Sequence, residues 1–133
     1  MIKRSINPMF NDAVLERIKV TTIRENPWPV GKDIMLYNWK GKAYRSKQTN
    51  IAAVRVIYTV EISITNLGVM HYSPHLIAST PIHQVEGFEN QAQMDQWFEK
   101  IVKQGETRTF HLMRFDLSPV DLQPITFQDH ALN

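Results

Sequence analysis

Cysteine is absent from all 133 residues, so disulfides and thiolate-held metals are excluded. No apolar run reaches membrane length and no signal-like segment stands at the start, which makes a cytoplasmic protein, with no membrane partner, the expectation. Glycine is scarce at five positions, so each one is a marked place in the chain. What is present is 43% hydrophobic content, enough for one buried core in a chain too short for two ordinary domains. We expect one domain over residues 1–117 and a C-terminal extension over 118–133, where Pro119 and Pro124 interrupt any apolar period.

Acidic residues are nearly missing from one part of the chain. Residues 17–55 hold nine Lys or Arg against Glu25 and Asp33, a balance of +7, which leaves −5 for the rest of a chain whose net charge is +2. Such separation suits a protein that holds a polyanion on one side, because cations displace the counterions of phosphates. A continuous positive surface is the expectation.

Asn7-Pro8 reads as a helix cap followed by proline, with Met9, Phe10, Ala13 and Val14 on one face of a short helix ending near Arg17. Ile18 to Arg24 is β-branched and should be extended until Asn26-Pro27-Trp28-Pro29 breaks it. Strands are expected at Ile34 to Trp39, Ile51 to Tyr58, Val60 to Ile64 and Thr107 to Leu117, with no assignment over 66–85. Asn90 can cap a second helix through Gln93, and Met94, Trp97, Phe98 and Ile101 form a stripe expected to pack as core.

Three stretches belong together: Lys19-Val20-Thr21-Thr22-Ile23-Arg24, then Val30-Gly31 leading into a strand, then Glu86-Gly87-Phe88 before a helix. In that order and spacing, over roughly residues 5–117, the chain resembles the ASCH family, with Gly105 before its last strand. The resemblance implies an α+β, PUA-like fold, a small mixed β-barrel with flanking helices, and a cleft for a modified nucleoside or RNA. Some members are similar to amidohydrolases that remove the acyl group of N4-acetylcytidine with a lysine, a threonine and a glutamate, here Lys19, Thr22 and Glu86. No cofactor and no metal are implied. Relatives often place glycine before the lysine segment, whereas this chain reads Leu15-Glu16-Arg17-Ile18, so its turn into the motif is built differently.

Metal-free amide hydrolysis needs a nucleophile, a base and an acid, and Thr22, Lys19 and Glu86 supply that set. On a regular strand, Lys19 and Thr22 would face opposite sides, so convergence requires a bulge or turn between them. Arg24 can lower the Lys19 pKa by its charge. Each residue also has a plainer reading: Thr22 as a strand former, Glu86 as an acid opening a helix, Lys19 and Arg24 as phosphate contacts.

A second group interleaves aromatic and basic residues along a hairpin: Tyr37, Trp39, Tyr44, Arg45 and Lys47, a pattern that can stack bases while following a backbone. His71 and His75 have i, i+4 spacing, but Pro74 spoils the helix that a metal pair needs. The sequence thus favours an N4-acylcytidine amidohydrolase. A non-catalytic RNA-binding module and a metal-independent ribonuclease remain as alternatives.

Overall fold

A computed structural model of the chain describes residues 1–41, 47–65, 70–71 and 81–118. In chain order these form β1 (Ile2–Ser5), a 3-10 turn (Pro8–Phe10), α1 (Asn11–Leu15), β2 (Thr21–Arg24), β3 (Asp33–Trp39), β4 (Gln48–Thr65), β5 (Met70–His71), α2 (Ile82–Val85), α3 (Gln91–Glu99) and β6 (Thr107–Leu117). Asn7 caps the first turn, its side-chain oxygen accepting from the Met9 N–H at 2.9 Å. The second helix begins as expected, with the Asn90 side chain accepting from the Gln93 N–H at 2.8 Å. None of the described helices is long and apolar enough to cross a membrane.

The strands make one mixed sheet in the order β1-β3-β4-β6-β2, with β5 paired to β4. Only the β1–β3 pair is parallel among the described pairings. The small mixed barrel expected from the sequence is not closed by the described strands: no pairing joins β1 to β2 among the described residues, which leaves an open sheet. The two edges nevertheless approach one another, because the Arg24 guanidinium on β2 donates to the Ser5 carbonyl at the end of β1, 3.0 Å away.

Three strand expectations change. Ile18 to Val20 is a loop, and β2 begins only at Thr21. The segments 51–58 and 60–64 are one 18-residue strand, bent rather than broken. Its pairing with β6 shifts between Val56 and Tyr58, leaving Ile57 as the extra residue. That shift sends side chains on its two sides to opposite faces. Val54 and Val56 pack with Met113, Phe115 and Trp28, while Ile62 and Ile64 pack with Phe110, Leu112 and Phe98. Leu112 and Met113 are chain neighbours and must point to opposite faces, so β6 has a core on each side.

Met94 and Phe98 of α3 are buried as expected. Trp97 and Ile101 are not core: Trp97 is only partly buried, Ile101 is 37% exposed, and both line the cleft described below. The extension expected from residue 118 starts with a buried residue. The Ser118 hydroxyl donates to Asp33 Oδ1 at 2.9 Å, and its N–H donates to the Ala53 carbonyl at 2.9 Å. Residues 119–133 lie outside the described residues.

Candidate functional site

Two short helices end in the same way and bring the site's charges together. After α1, the Arg17 N–H bonds to the Val14 carbonyl and the Ile18 N–H to the Ala13 carbonyl, with Arg17 left-handed at φ 61°. After α2, the Gly87 N–H bonds to the Gln84 carbonyl and the Phe88 N–H to the His83 carbonyl, with Gly87 at φ 91°. Arg17 therefore takes the conformation that glycine adopts freely, which is how this chain turns into its lysine segment. Glu86 closes α2 rather than opening α3. The Val20 N–H then bonds to the Val85 carbonyl at 2.8 Å and ties the two loops side by side.

Lys19 and Glu86 meet in that junction, each 4% exposed. The Lys19 amino group donates to the carbonyls of Thr21 (2.8 Å) and Glu86 (2.7 Å). It stands 3.7 Å from Glu86 Oε1, an ion-pair distance too long for a hydrogen bond. The Thr21 hydroxyl donates to Glu86 Oε2 at 2.5 Å. Lys19 also lies over the Phe10 ring, 4.6 Å from its centroid. Burial pushes the Lys19 amine below its ordinary range; the Glu86 charge opposes this and the Arg24 charge adds to it.

The Thr22 hydroxyl accepts from Arg24 Nε at 3.0 Å. Arg24 lies over the Trp28 ring at 4.8 Å. Burial lowers its pKa too, against the pull of Glu86, though a guanidinium stays charged at neutral pH.

These groups line a cleft of about 650 Å³ between the two sheet edges. Lys19, Glu86, Thr22 and Arg24 lie in its polar part with Ser5, Asn7 and Glu25, and Phe10, Phe88, Trp97, Phe98 and Phe110 supply an aromatic wall, with Trp39 on the β3 side. Phe10, Phe88 and Trp97 meet edge to face, with centroids 5.3 to 5.7 Å apart. Lys19, Thr22 and Glu86 thus all reach one space. Convergence needs no bulge, because the strand that would have separated Lys19 from Thr22 begins two residues after Lys19.

Trp39 reaches the cleft, while Tyr37 stacks edge-on against it at 5.4 Å and does not line the cavity. Lys47 is exposed and outside the cavity. Tyr44 and Arg45 lie outside the described residues, as does His75. No group of three His, Asp or Glu able to hold a metal occurs among the described residues. Among the described basic residues of 17–55, Lys19 and Arg24 line the cleft, whereas Arg55 is turned to Asp33 at 2.9 Å.

Sequence reasoning missed Thr21, Phe10 and Phe88 as parts of the site. Thr21 was hidden beside Thr22 in the same motif. Phe88 stands inside the Glu86-Gly87-Phe88 motif, and Phe10 has the spacing of an ordinary apolar helix position.

No protein-family model and no curated protein matches the sequence. Among solved structures the chain is similar to an ASCH domain from Lactobacillus crispatus, at 14% identity and a TM-score of 0.50, covering 87% of this chain and 79% of that one. The fold of this chain is therefore ASCH-like.

Proposed function

We propose that the chain is an amidohydrolase that removes the acyl group from an N4-acylated cytosine nucleoside of the N4-acetylcytidine type. The observation that carries this reading is a buried lysine–glutamate pair under an aromatic cleft, with a threonine hydroxyl on its wall. A flat pyrimidine suits the space between aromatic side chains such as Trp39 and Trp97.

Thr22 attacks the acyl carbon and its proton passes to the Lys19 amine. The acyl–nitrogen bond then breaks, Glu86 gives a proton to N4, and cytidine leaves with a free amine. Water adds to the threonine ester and gives a proton to the Glu86 carboxylate, while the Lys19 ammonium returns its proton to Thr22 Oγ1, so that the carboxylic acid product leaves and all three groups regain their starting forms. Arg24 supports the first step, since its Nε–H is donated to Thr22 Oγ1 and its charge favours the forming alkoxide. An ammonium beside a carboxylate holds as many protons as an amine beside a carboxylic acid. Burial penalises the charged form, so the pair can reach the form needed here without gaining or losing a proton.

Purified protein given N4-acetylcytidine should release cytidine and acetate in equal amounts. Thr22→Ala, Lys19→Met and Glu86→Gln should each lower the rate by roughly 100-fold or more, and double variants should lose little beyond that. Because the amine–carboxylic acid form holds as many protons as the ammonium–carboxylate form, activity should fall as pH rises through the Lys19 midpoint, where the pair loses the proton that Glu86 must give, and burial of Lys19 places that fall below the ordinary lysine range. A fall centred on the ordinary lysine range would remove Lys19 from this role. No cytidine from the parent protein at any pH would leave the second reading, a binding pocket for RNA, which the hold of two backbone carbonyls on the Lys19 amino group favours.

A further inference from the structure

We propose that Thr21 is a positioning residue of this site, its hydroxyl orienting the Glu86 carboxylate and its carbonyl holding the Lys19 amino group so that the two face each other. Thr21 is 0% exposed and does not line the cleft, so it touches no bound molecule. Its two polar atoms nevertheless reach both partners. The hydroxyl takes Glu86 Oε2 at 2.5 Å, which leaves Oε1 as the carboxylate oxygen turned to Lys19, and the carbonyl accepts from Lys19 Nζ at 2.8 Å. Alternation along β2 explains the division of labour. Thr22 stands opposite Met113 and Thr21 opposite Arg114, so the neighbouring hydroxyls leave the strand on different sides. One goes to Arg24 and the other to Glu86.

A residue serving only to fill space here would need no hydroxyl, since valine has the same shape and suits a strand at least as well. The hydroxyl's work is to donate one hydrogen bond to the carboxylate and so fix its rotation. Without it the carboxylate turns freely, and the Lys19 ammonium loses a counter-charge held in place. The charged groups around the pair are Glu86 and Arg24, which act on Lys19, and Arg114 of β6, which stands across from Thr21.

The kinetic consequence rests on the amidohydrolase reading, whereas the titration of Lys19 does not. In protein labelled with 13C at lysine, the Lys19 Cε resonance, assigned by its loss in Lys19→Met, is followed against pH. Thr21→Val should lower the Lys19 midpoint by about one pH unit, the scale of a hydrogen bond to an ionised group. Thr21→Ser should restore it, and in a Glu86→Gln background Thr21→Val should shift it no further. If Thr21→Val does not fold, Thr21→Cys keeps a weaker donor in similar volume and should give a smaller shift in the same direction. In the amidohydrolase assay, Thr21→Val should lower kcat at least 10-fold with KM little changed, again rescued by serine. An unmoved Lys19 midpoint in Thr21→Val, or a serine variant that does not recover it, overturns the proposal. Absence of hydrolysis by the parent protein overturns the reaction alone, while the titration still decides the role of Thr21.

Discussion

Gly87 meets two demands that no residue with a side chain satisfies together. It sits at φ 91°, and a Cβ placed there would lie 3.0 Å from Lys19 Cβ and 3.1 Å from Phe10 Cδ1. Gly87→Ala should therefore lower stability by about 2–3 kcal/mol, read from the denaturant midpoint, through backbone strain and overpacking. It should also push Lys19 away from Glu86. Arg17 is the opposite case, because its left-handed turn at φ 61° is held by a residue that pays for it and its side chain is exposed. Arg17→Gly should raise the same midpoint, by about 1 kcal/mol of stability. At this scale the motif residues were legible: Lys19, Thr22, Arg24, Glu86 and Phe88 all line one cleft. The reason for Gly87 was not, because closeness to Lys19 belongs to the folded chain. Nor could spacing alone show whether Lys19 stood on the strand or in the loop before it.

Among the elements, α3 was the most readable, since its cap and apolar period lie within a dozen neighbouring residues. The period could not tell its two apolar rows apart, however. Met94 and Phe98 are buried, Phe98 also touching the cleft, while Trp97 and Ile101 line the cleft and stay partly exposed. Trp97→Ala should consequently cost only about 1–2 kcal/mol, less than a fully buried tryptophan, because it leaves open space rather than a closed cavity. In the amidohydrolase assay it should raise KM for the nucleoside with kcat nearly unchanged. The long strand β4 looked like two because the extra residue Ile57 interrupts its alternation, and nothing local distinguishes a bulge from an end. β1 and α2, four residues each, carry too few side chains for any period to show. Both owe their existence to partners distant in sequence: β1 to β3, and α2 to the core around Ile82.

Over the whole molecule, the cleft is the gap between the two edges of an open sheet, and Arg24 spans it through Thr22 on one side and Ser5 on the other. Arg24→Met should speed amide hydrogen exchange in Ile2–Ser5 and Thr21–Arg24 while leaving β4 protected. Equal protection of both edges in that variant would show that the bridge does not hold them. Of the basic run in residues 17–55, Lys19 and Arg24 stand at the cleft and Arg55 at Asp33, a division that belongs to the folded chain and not to the order of residues. The strand order also sets when the cleft can form. β2, near the start of the chain, pairs with β6, so that Thr22 waits for Met113, and Lys19 waits for Glu86, 67 positions on. A chain emerging from the ribosome can pair β1, β3 and β4 among themselves, but the lysine–threonine segment has no strand to lie against until β6 is made. Contacts this distant form slowly. Any nascent or truncated chain ending before Thr107 lacks the strand that β2 lies against, so Thr22 and Arg24 are not held at the cleft until β6 is made.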